Sequence, residues 1–280
     1  MFPGVRLRGS VCAAGALGVA ALFASSGAQA YCRTTTQPPP IGYNPAVSGC
    51  WTTGKAIAWT AGQVPYGVSS AASKYVPLSE ASRVADLAFA AWNSAPCTGG
   101  PPSVQAYNVG PLDVAPDSGD CTTSSTCNAV THDVIVFRDD VWPHSDPANT
   151  LALTTVTYGV NDGEIFEAYT EVNSAQHVLT TVEPPLSGTF DLQAILTHEA
   201  GHFLGLAHAT DTHSIMYAYY QAGATNLTPD DVAAICAVYD APPTGGCSFA
   251  SAPTGPTLFA AISGLSLATL AAARRRRRHR

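Results

Sequence analysis

Residues 198–208 read HEAGHFLGLAH, and the spacing of the histidines in this run decides how the rest of the chain is interpreted. On a helix, His198 and His202 project from the same side one turn apart, so their imidazoles can bind a single cation. Gly205 can adopt the left-handed conformation that ends a helix, which lets the chain turn back and bring His208 to the same cation. Three neutral imidazoles with an open fourth position predict a catalytic zinc ion.

The acidic residue inside the run, Glu199, occupies the position of a general base. It lies about 100° round the helix from His198 and about 60° from His202, where its carboxylate can reach a water in the open position. It also falls within an apolar stripe formed by Leu192, Ile195, Leu196 and Phe203. An unpaired carboxylate would be costly there, and a metal-bound water supplies a partner. The match of five specified positions argues against the alternative of unconnected surface histidines.

The run has the form HExxHxxGxxH, which is the zinc motif of the metzincins, and it most resembles the matrixin branch. Residues 214–217, Ser-Ile-Met-Tyr, resemble the Met-turn below the zinc in that clan, which implies a structural role for Met216. The resemblance implies an α+β fold with a twisted mixed, mostly parallel sheet, a backing helix, the zinc helix and a C-terminal helix. The chain departs from the matrixins at Ala209, where they usually have serine, and it contains no PRCGxPD latency segment.

Both ends of the chain carry export features. Residues 1–30 have basic residues, an apolar run and Ala-Gln-Ala at the end, which is typical of a secretory signal; a membrane anchor is the alternative. Near the C-terminus, Cys247 precedes an apolar stretch and an arginine cluster, an order that resembles myxobacterial surface-sorting signals and implies processing near Cys247. A permanent membrane anchor is again the alternative. We divide the chain into signal peptide 1–30, extended segment 31–49, catalytic domain 50–241, linker 242–256 and tail 257–280.

The central part of the chain is strongly acidic and contains paired cysteines. Residues 31–247 hold all 20 acidic residues, and their basic residues are only Arg33, Lys55, Lys74, Arg83 and Arg138. This excess of negative charge argues against a nucleic-acid partner. We also expect the protein to be a monomer. Besides Cys12 and Cys247, the cysteines are Cys32, Cys50, Cys97, Cys121, Cys127 and Cys236, an even number that predicts up to three disulfides. We favour the pairs Cys121–Cys127 and Cys32–Cys50.

The spacing of apolar residues predicts the elements around the motif. Strands are expected at 57–59, 64–68, 130–137, 151–158 and 164–173, with the third in the interior of the sheet. A helix is expected at 79–92 with Ser79 as its cap, and residues 96–128 are expected to be irregular. Asp191 should cap the zinc helix or lie in its first turn, this helix should end near residue 204, and Thr228 should cap the last helix. By the metzincin arrangement, 151–158 is an edge strand that a polypeptide substrate could extend.

These features predict a secreted or surface-displayed zinc endopeptidase in which Glu199 is the general base for a zinc-bound water. Two alternatives stay open: a surface binding or adhesion module that retains zinc without catalysis, and a zinc hydrolase of a non-protein amide. A structural zinc site usually has four protein ligands, whereas this motif supplies three and a base. Calcium is a further candidate ion, and the acidic residues that could bind it are Asp139, Asp140, Asp146, Asp162 and Glu164.

Overall fold

The computed structural model describes residues 30–114 and 133–240. The strands are β1 (Cys32–Arg33), β2 (Gln63–Ser69), β3 (Gln105–Leu112), β4 (Val134–Phe137), β5 (Ala152–Tyr158), β6 (Ile165–Val172), β7 (Leu179–Thr180), β8 (Phe190–Asp191) and β9 (Leu206–Ala207). The helices are α1 (Pro45–Ser48), α2 (Leu78–Asn93), α3 (Leu192–Phe203) and α4 (Pro229–Tyr239). Outside the described residues lie the predicted signal up to residue 29, the linker and tail, Cys121 and Cys127.

Five strands form one sheet in the order β3-β2-β4-β6-β5. Three neighbouring pairs are parallel, and only the outermost pair, β5 with β6, is antiparallel. The predicted mixed, mostly parallel sheet is therefore confirmed. All four residues of β4 are buried, as expected for an interior strand with apolar residues on both faces. Along β5, half-buried and exposed residues alternate, as in an edge strand with one face against the body of the protein.

Two expectations about strands are wrong. Residues 105–112 were expected to be irregular because residues 96–128 are rich in Gly, Pro, Ser, Thr and Asp, but they form β3, which pairs with β2 from Gln105 to Leu112. Because β3 is an edge strand, a proline without an amide proton is tolerated there. Residues 57–59 form no strand; Ala58 makes an isolated bridge with Glu164, and this segment is buried by its neighbours instead.

The main core lies between one face of the sheet and the helices α2 and α3. Val84, Ala88 and Trp92 are almost inaccessible on the inner face of α2, and the indole Nε1 of Trp92 donates to the Thr197 carbonyl of α3 at 2.8 Å. The predicted cap of α2 is wrong, since the helix begins at Leu78 and its N-cap is Pro77, with no side-chain cap. Ser79 already lies in the first turn, because the fixed φ of proline sets the helix entry one residue earlier.

Two disulfides hold the ends of the described chain to this core. Cys32 and Cys50, whose pairing was predicted, have Cα atoms 5.1 Å apart. Cys97 and Cys236, whose pairing was not predicted, have Cα atoms 5.3 Å apart and join the segment after α2 to α4. Only the fold brings residues so distant in sequence together.

Among the described residues, no helix combines the length and apolar character needed to cross a bilayer. The predicted cap of α4 is confirmed, because Thr228 forms a capping box with Asp231.

Candidate metal centre and substrate cleft

The helix α3 presents the first two histidines as its spacing predicts. The Asp191 side chain caps the helix by accepting from the Gln193 amide at 2.9 Å, and the last helical residue is Phe203. The rings of His198 and His202 have centroids 4.8 Å apart, and their Nε2 atoms are 3.1 Å apart. Both Nε2 atoms therefore converge on one point.

Backbone carbonyls hold these two rings in one tautomer. His198 donates from Nδ1 to the Ile215 carbonyl at 2.7 Å, and His202 donates from Nδ1 to the Leu206 carbonyl at 2.9 Å. Because a carbonyl oxygen can only accept, each Nδ1 carries the proton and each Nε2 keeps a lone pair. Such outer hydrogen bonds are typical of histidines that bind metals.

A glycine after α3 brings the third histidine to the same point. Gly205 has φ +86°, and a side chain there would collide with the Ile57 carbonyl 2.7 Å from its Cβ. The turn leads into β9 and then to His208, whose ring centroid lies 5.2 Å from that of His198 and 4.8 Å from that of His202. The candidate ligand atoms all lie within 4.8 Å of one another. Three nitrogen donors so close together fit zinc.

Two of the three imidazoles, those of His198 and His208, are enclosed in a way that favours their neutral form. Burial, and then the neighbouring His202, lower the pKa of His198 to about 3. Burial and the other two histidines lower the pKa of His208 to about 2. A neutral imidazole is the form that binds a metal ion, so these two rings are set for ligation at neutral pH.

The Met-turn lies directly below the histidines. Met216 is 2% exposed, and its sulfur packs against Gly201 so closely that a Cβ at Gly201 would overlap it. Ala209, the departure from the matrixin pattern, is buried and donates its amide to the Met216 carbonyl at 2.8 Å. The supporting role of Gly205 and Met216 stays a prediction.

Asp231 fixes the Met-turn to α4, a role that sequence reasoning missed. Its carboxylate accepts from the Ser214 hydroxyl at 2.5 Å and from the Ile215 amide at 3.0 Å. The same carboxylate accepts from the Thr228 amide at 2.9 Å, and it is 1% exposed. One buried anion therefore joins the helix cap to the backbone whose Ile215 carbonyl holds His198. In the sequence, the capping pattern at Thr228 and Asp231 was the only sign of this role, and it did not reveal the hydrogen bonds of Asp231 to the Met-turn.

Glu199 is held from the opposite side by the edge strand. Its carboxylate is nearly buried, and Oε2 accepts from the Thr154 hydroxyl at 2.6 Å. A second hydroxyl, that of Thr170 on β6, lies 2.9 Å from the Thr154 hydroxyl. Burial raises the pKa of Glu199, whereas His202 and the Thr154 hydrogen bond act in the opposite direction. Thr154 was not singled out from the sequence, where the run of threonines indicated only a strand.

An open cleft of about 550 Å³ lies between β5 and the residues after the Met-turn. His198, Glu199, His202 and His208 all line it. One wall consists of residues 149–154, Val156 and Tyr158, and the facing wall includes Ile215, residues 217–221 and Ala224. A chain in extended form could therefore lie along β5 with one of its groups at the three histidines.

The acids named as calcium candidates do not gather into a cluster. Asp139 accepts from the Ser73 and Ser174 hydroxyls and from the Lys74 amide, and Glu164 accepts from the Thr60 hydroxyl. In residues 30–114 and 133–240, the only group of three or more His, Cys, Asp or Glu side chains placed to share an ion is the histidine triad. A calcium site stays a prediction.

Comparisons with known proteins agree with this geometry. Residues 131–240 match the Matrixin family of peptidases. A probable matrix metalloproteinase of Invertebrate iridescent virus 3 is 33% identical over 104 residues, which is 37% of this chain and 27% of the relative. Human matrix metalloproteinase-20 is 30% identical over 177 residues, which is 60% of this chain and 30% of the relative.

A third relative, metalloendoproteinase 1 of Glycine max, is 39% identical over 57 residues, which is 20% of this chain and 19% of the relative. The chain thus spans less than a third of the length of each of these relatives. The matched segment contains β4 to α4, including the three histidines, Glu199 and the Met-turn. The similarities support a metalloprotease of the matrixin type, and residues 131–240 are its matrixin-like part.

Proposed function

We propose that this chain is a secreted or surface-displayed zinc-dependent endopeptidase. One observation carries the proposal: three imidazoles converge on a point in an open cleft, with a buried carboxylate beside them. A purely structural zinc site usually closes its coordination with a fourth protein ligand, whereas this cleft leaves room for water and substrate.

His198, His202 and His208 would hold the ion through Nε2 of the first two and a ring nitrogen of the third. Bound zinc supplies Lewis acidity, which polarises a carbonyl and lowers the pKa of water. The Ile215 and Leu206 carbonyls keep two of the rings oriented, and Asp231 keeps the Ile215 backbone in place. The site therefore depends on the Met-turn and on α4 as well as on α3.

Glu199 acts as the general base and then as the general acid. It takes a proton from the attacking water and returns it to the leaving amine. The Thr154 hydroxyl holds Oε2, which leaves Oε1 for the proton transfer. Burial raises the pKa of this carboxyl, which brings it closer to the range where one group can both accept and release a proton.

The substrate is a polypeptide that pairs with the free edge of β5. This strand pairs only with β6 among the described strands, so its other row of backbone groups is open to a ligand. Backbone hydrogen bonds to an edge strand bind an extended peptide without regard to its sequence, and pockets beside the strand then select side chains.

The decisive experiment replaces Glu199 with Gln in the full-length chain. We expect Glu199→Gln to retain zinc, measured by elemental analysis, and to lose at least about 100-fold in cleavage of casein, because the base is gone while the ligands remain. Unchanged cleavage by a zinc-loaded Glu199→Gln protein would overturn the proposed mechanism.

The same preparation separates the two alternative functions. A zinc-loaded wild-type protein that cleaves no unfolded protein would favour the binding or adhesion module. Cleavage of peptidoglycan with casein left intact would favour the hydrolase of a non-protein amide. Chelator-sensitive cleavage of casein supports the endopeptidase.

Export and surface attachment rest on residues 1–30 and 242–280. We propose that the signal is removed after Ala30 and that the tail is processed near Cys247 for display at the cell surface. Mass spectrometry of the mature ends tests both steps. A mature protein that keeps residues 257–280 would favour a permanent membrane anchor.

A further inference from the structure

A second pocket, of about 290 Å³, opens beside the substrate cleft. The two spaces share Thr34, Tyr158, His202 and His208 as lining residues. Apart from Ala207, its remaining wall is formed by residues of the N-terminal segment between Cys32 and Trp51. This segment precedes residues 131–240, so the wall is not part of the matrixin-like match.

The N-terminal segment is attached immediately before the third histidine. β1 pairs with β9, with Cys32 opposite Ala207 and Arg33 opposite Leu206. The Thr34 amide donates to the Gly205 carbonyl at 3.0 Å, so the segment follows the turn that leads to His208. The wall is therefore positioned by the same backbone that positions the metal ligand.

Internal contacts give the wall a defined shape. The Cys32–Cys50 disulfide closes the segment into a loop. Across the loop, Trp51 donates from Nε1 to the Gln37 carbonyl at 2.7 Å and packs edge to face against Tyr43, with ring centroids 5.6 Å apart. The Tyr43 hydroxyl donates to the Gly49 carbonyl at 2.5 Å. A pocket made of cross-linked and hydrogen-bonded groups is largely formed before a ligand arrives.

The lining is suited to a large apolar side chain. Nearly half of its lining residues are prolines, tyrosines or tryptophan, namely Pro38, Pro39, Tyr43, Pro45, Trp51 and Tyr158. The only residue with a fixed charge among its described lining residues is Arg33, whose Nε is buried. An aromatic side chain gains favourable stacking and burial in such surroundings, whereas a lysine or arginine side chain loses hydration of its charge there.

The strand direction decides which part of a substrate reaches this pocket. Tyr158 is the last residue of β5, and it lines both spaces. A peptide that adds to β5 in the antiparallel sense, the more stable of the two, has its N-terminal residues beside the C-terminal end of β5. Side chains before the scissile bond therefore lie on the side of the second pocket.

We propose that the disulfide-closed segment 32–51 is part of the substrate site, where it binds an aromatic side chain on the N-terminal side of the scissile bond. This inference rests on the proposed endopeptidase function, because it names the substrate class of that site. The N-terminal segment thus selects substrates in addition to leading into the body of the protein.

The test uses the full-length wild-type chain and a peptide set built on one cleaved sequence. Glycine, phenylalanine or lysine is placed at each of the three positions before the scissile bond, and kcat/KM is measured for each peptide. At one position we expect phenylalanine to exceed glycine by about tenfold or more, and lysine to fall below glycine. Equal rates for phenylalanine and glycine at all three positions would overturn the proposal without any variant.

Variants then test whether segment 32–51 causes the preference for phenylalanine. Tyr43→Ala and Trp51→Ala should each reduce the phenylalanine-to-glycine ratio of kcat/KM to within about threefold of one. The matched control is Val47→Ala, in the same loop but 82% exposed and outside the pocket lining, and it should keep the full ratio. An unchanged ratio in both pocket variants would refute the assignment.

Failure of the underlying function gives a different result. A wild-type protein that cleaves neither the peptides nor casein would refute the proposed endopeptidase and the pocket with it. A wild-type protein that cleaves casein and all the peptides without preference would refute only the pocket.

Discussion

The hydrogen bond between Thr154 and Glu199 leads to a quantitative prediction. In Thr154→Val the side chain keeps its shape but loses the hydroxyl that donates to Glu199 Oε2 at 2.6 Å. A hydrogen bond to a charged group contributes about 1.5–3 kcal/mol, and about 1.4 kcal/mol corresponds to a factor of ten. If the bond is needed to orient the base, kcat should therefore fall roughly 10- to 150-fold.

The split between kcat and KM separates orientation from a general loss of structure. The backbone of Thr154, which would pair with the substrate, is unchanged in Thr154→Val, so KM should stay within about twofold of the wild-type value. Thr154→Ser restores a donor at the same position and should recover most of kcat. Zinc content should equal that of the wild type in both variants, because neither touches a histidine.

The assay is initial-rate cleavage of a fluorogenic peptide, at a temperature well below the unfolding transition of each variant. A zinc-loaded Thr154→Val protein with kcat within twofold of the wild type would refute the orienting role. A loss that Thr154→Ser fails to recover would refute it as well, because packing rather than the hydroxyl would then be responsible.

Three further predictions concern the support of the site and its surroundings. Gly201→Ala should lower the free energy of unfolding by about 1–3 kcal/mol, because its Cβ would overlap the Met216 sulfur. The control Gly62→Ala, whose Cβ would meet only ordinary contacts, should leave the free energy of unfolding unchanged. Equal denaturation midpoints for the two variants would contradict this prediction. Burial raises the pKa of Asp133 to about 7, so the wild type should lose stability as pH rises from about 4 through 7. Asp133→Asn should therefore be more stable than wild type at pH 9 by up to about 4 kcal/mol and similar at pH 4, and a pH-independent difference in urea denaturation would refute that assignment. Removal of zinc with a chelator should abolish cleavage and lower the melting temperature, and added zinc should restore both; cleavage that persists in the metal-free protein would exclude the proposed role of the triad.

Local patterns in the sequence were sufficient for several parts of the site. The spacing of His198 and His202 determines that their rings share one side of α3, since this depends only on helix geometry. The same holds for the end of the helix at Gly205 and for the caps at Asp191 and Thr228. Each of these features is decided by residues within about one turn of one another, which is why the sequence could predict them.

Edge strands and pairings over long distances depended on the fold. The composition of residues 96–128 indicated a loop, yet β3 forms because β2 offers a partner and the outer edge tolerates proline. The Cys97–Cys236 disulfide joins residues 139 positions apart, a pairing that no local pattern specifies.

The sequence by itself determined that the chain carries three histidines and a carboxylate in a pattern suited to zinc chemistry. Only the tertiary structure decided which groups hold them: Thr154 on a sheet edge for Glu199, the Ile215 carbonyl for His198, and Asp231 of α4 for the turn. The physical reason is that hydrogen bonds form between groups that are close in space. Helix periodicity relates neighbours in sequence, whereas these contacts join strands, turns and helices that only the packed core brings together.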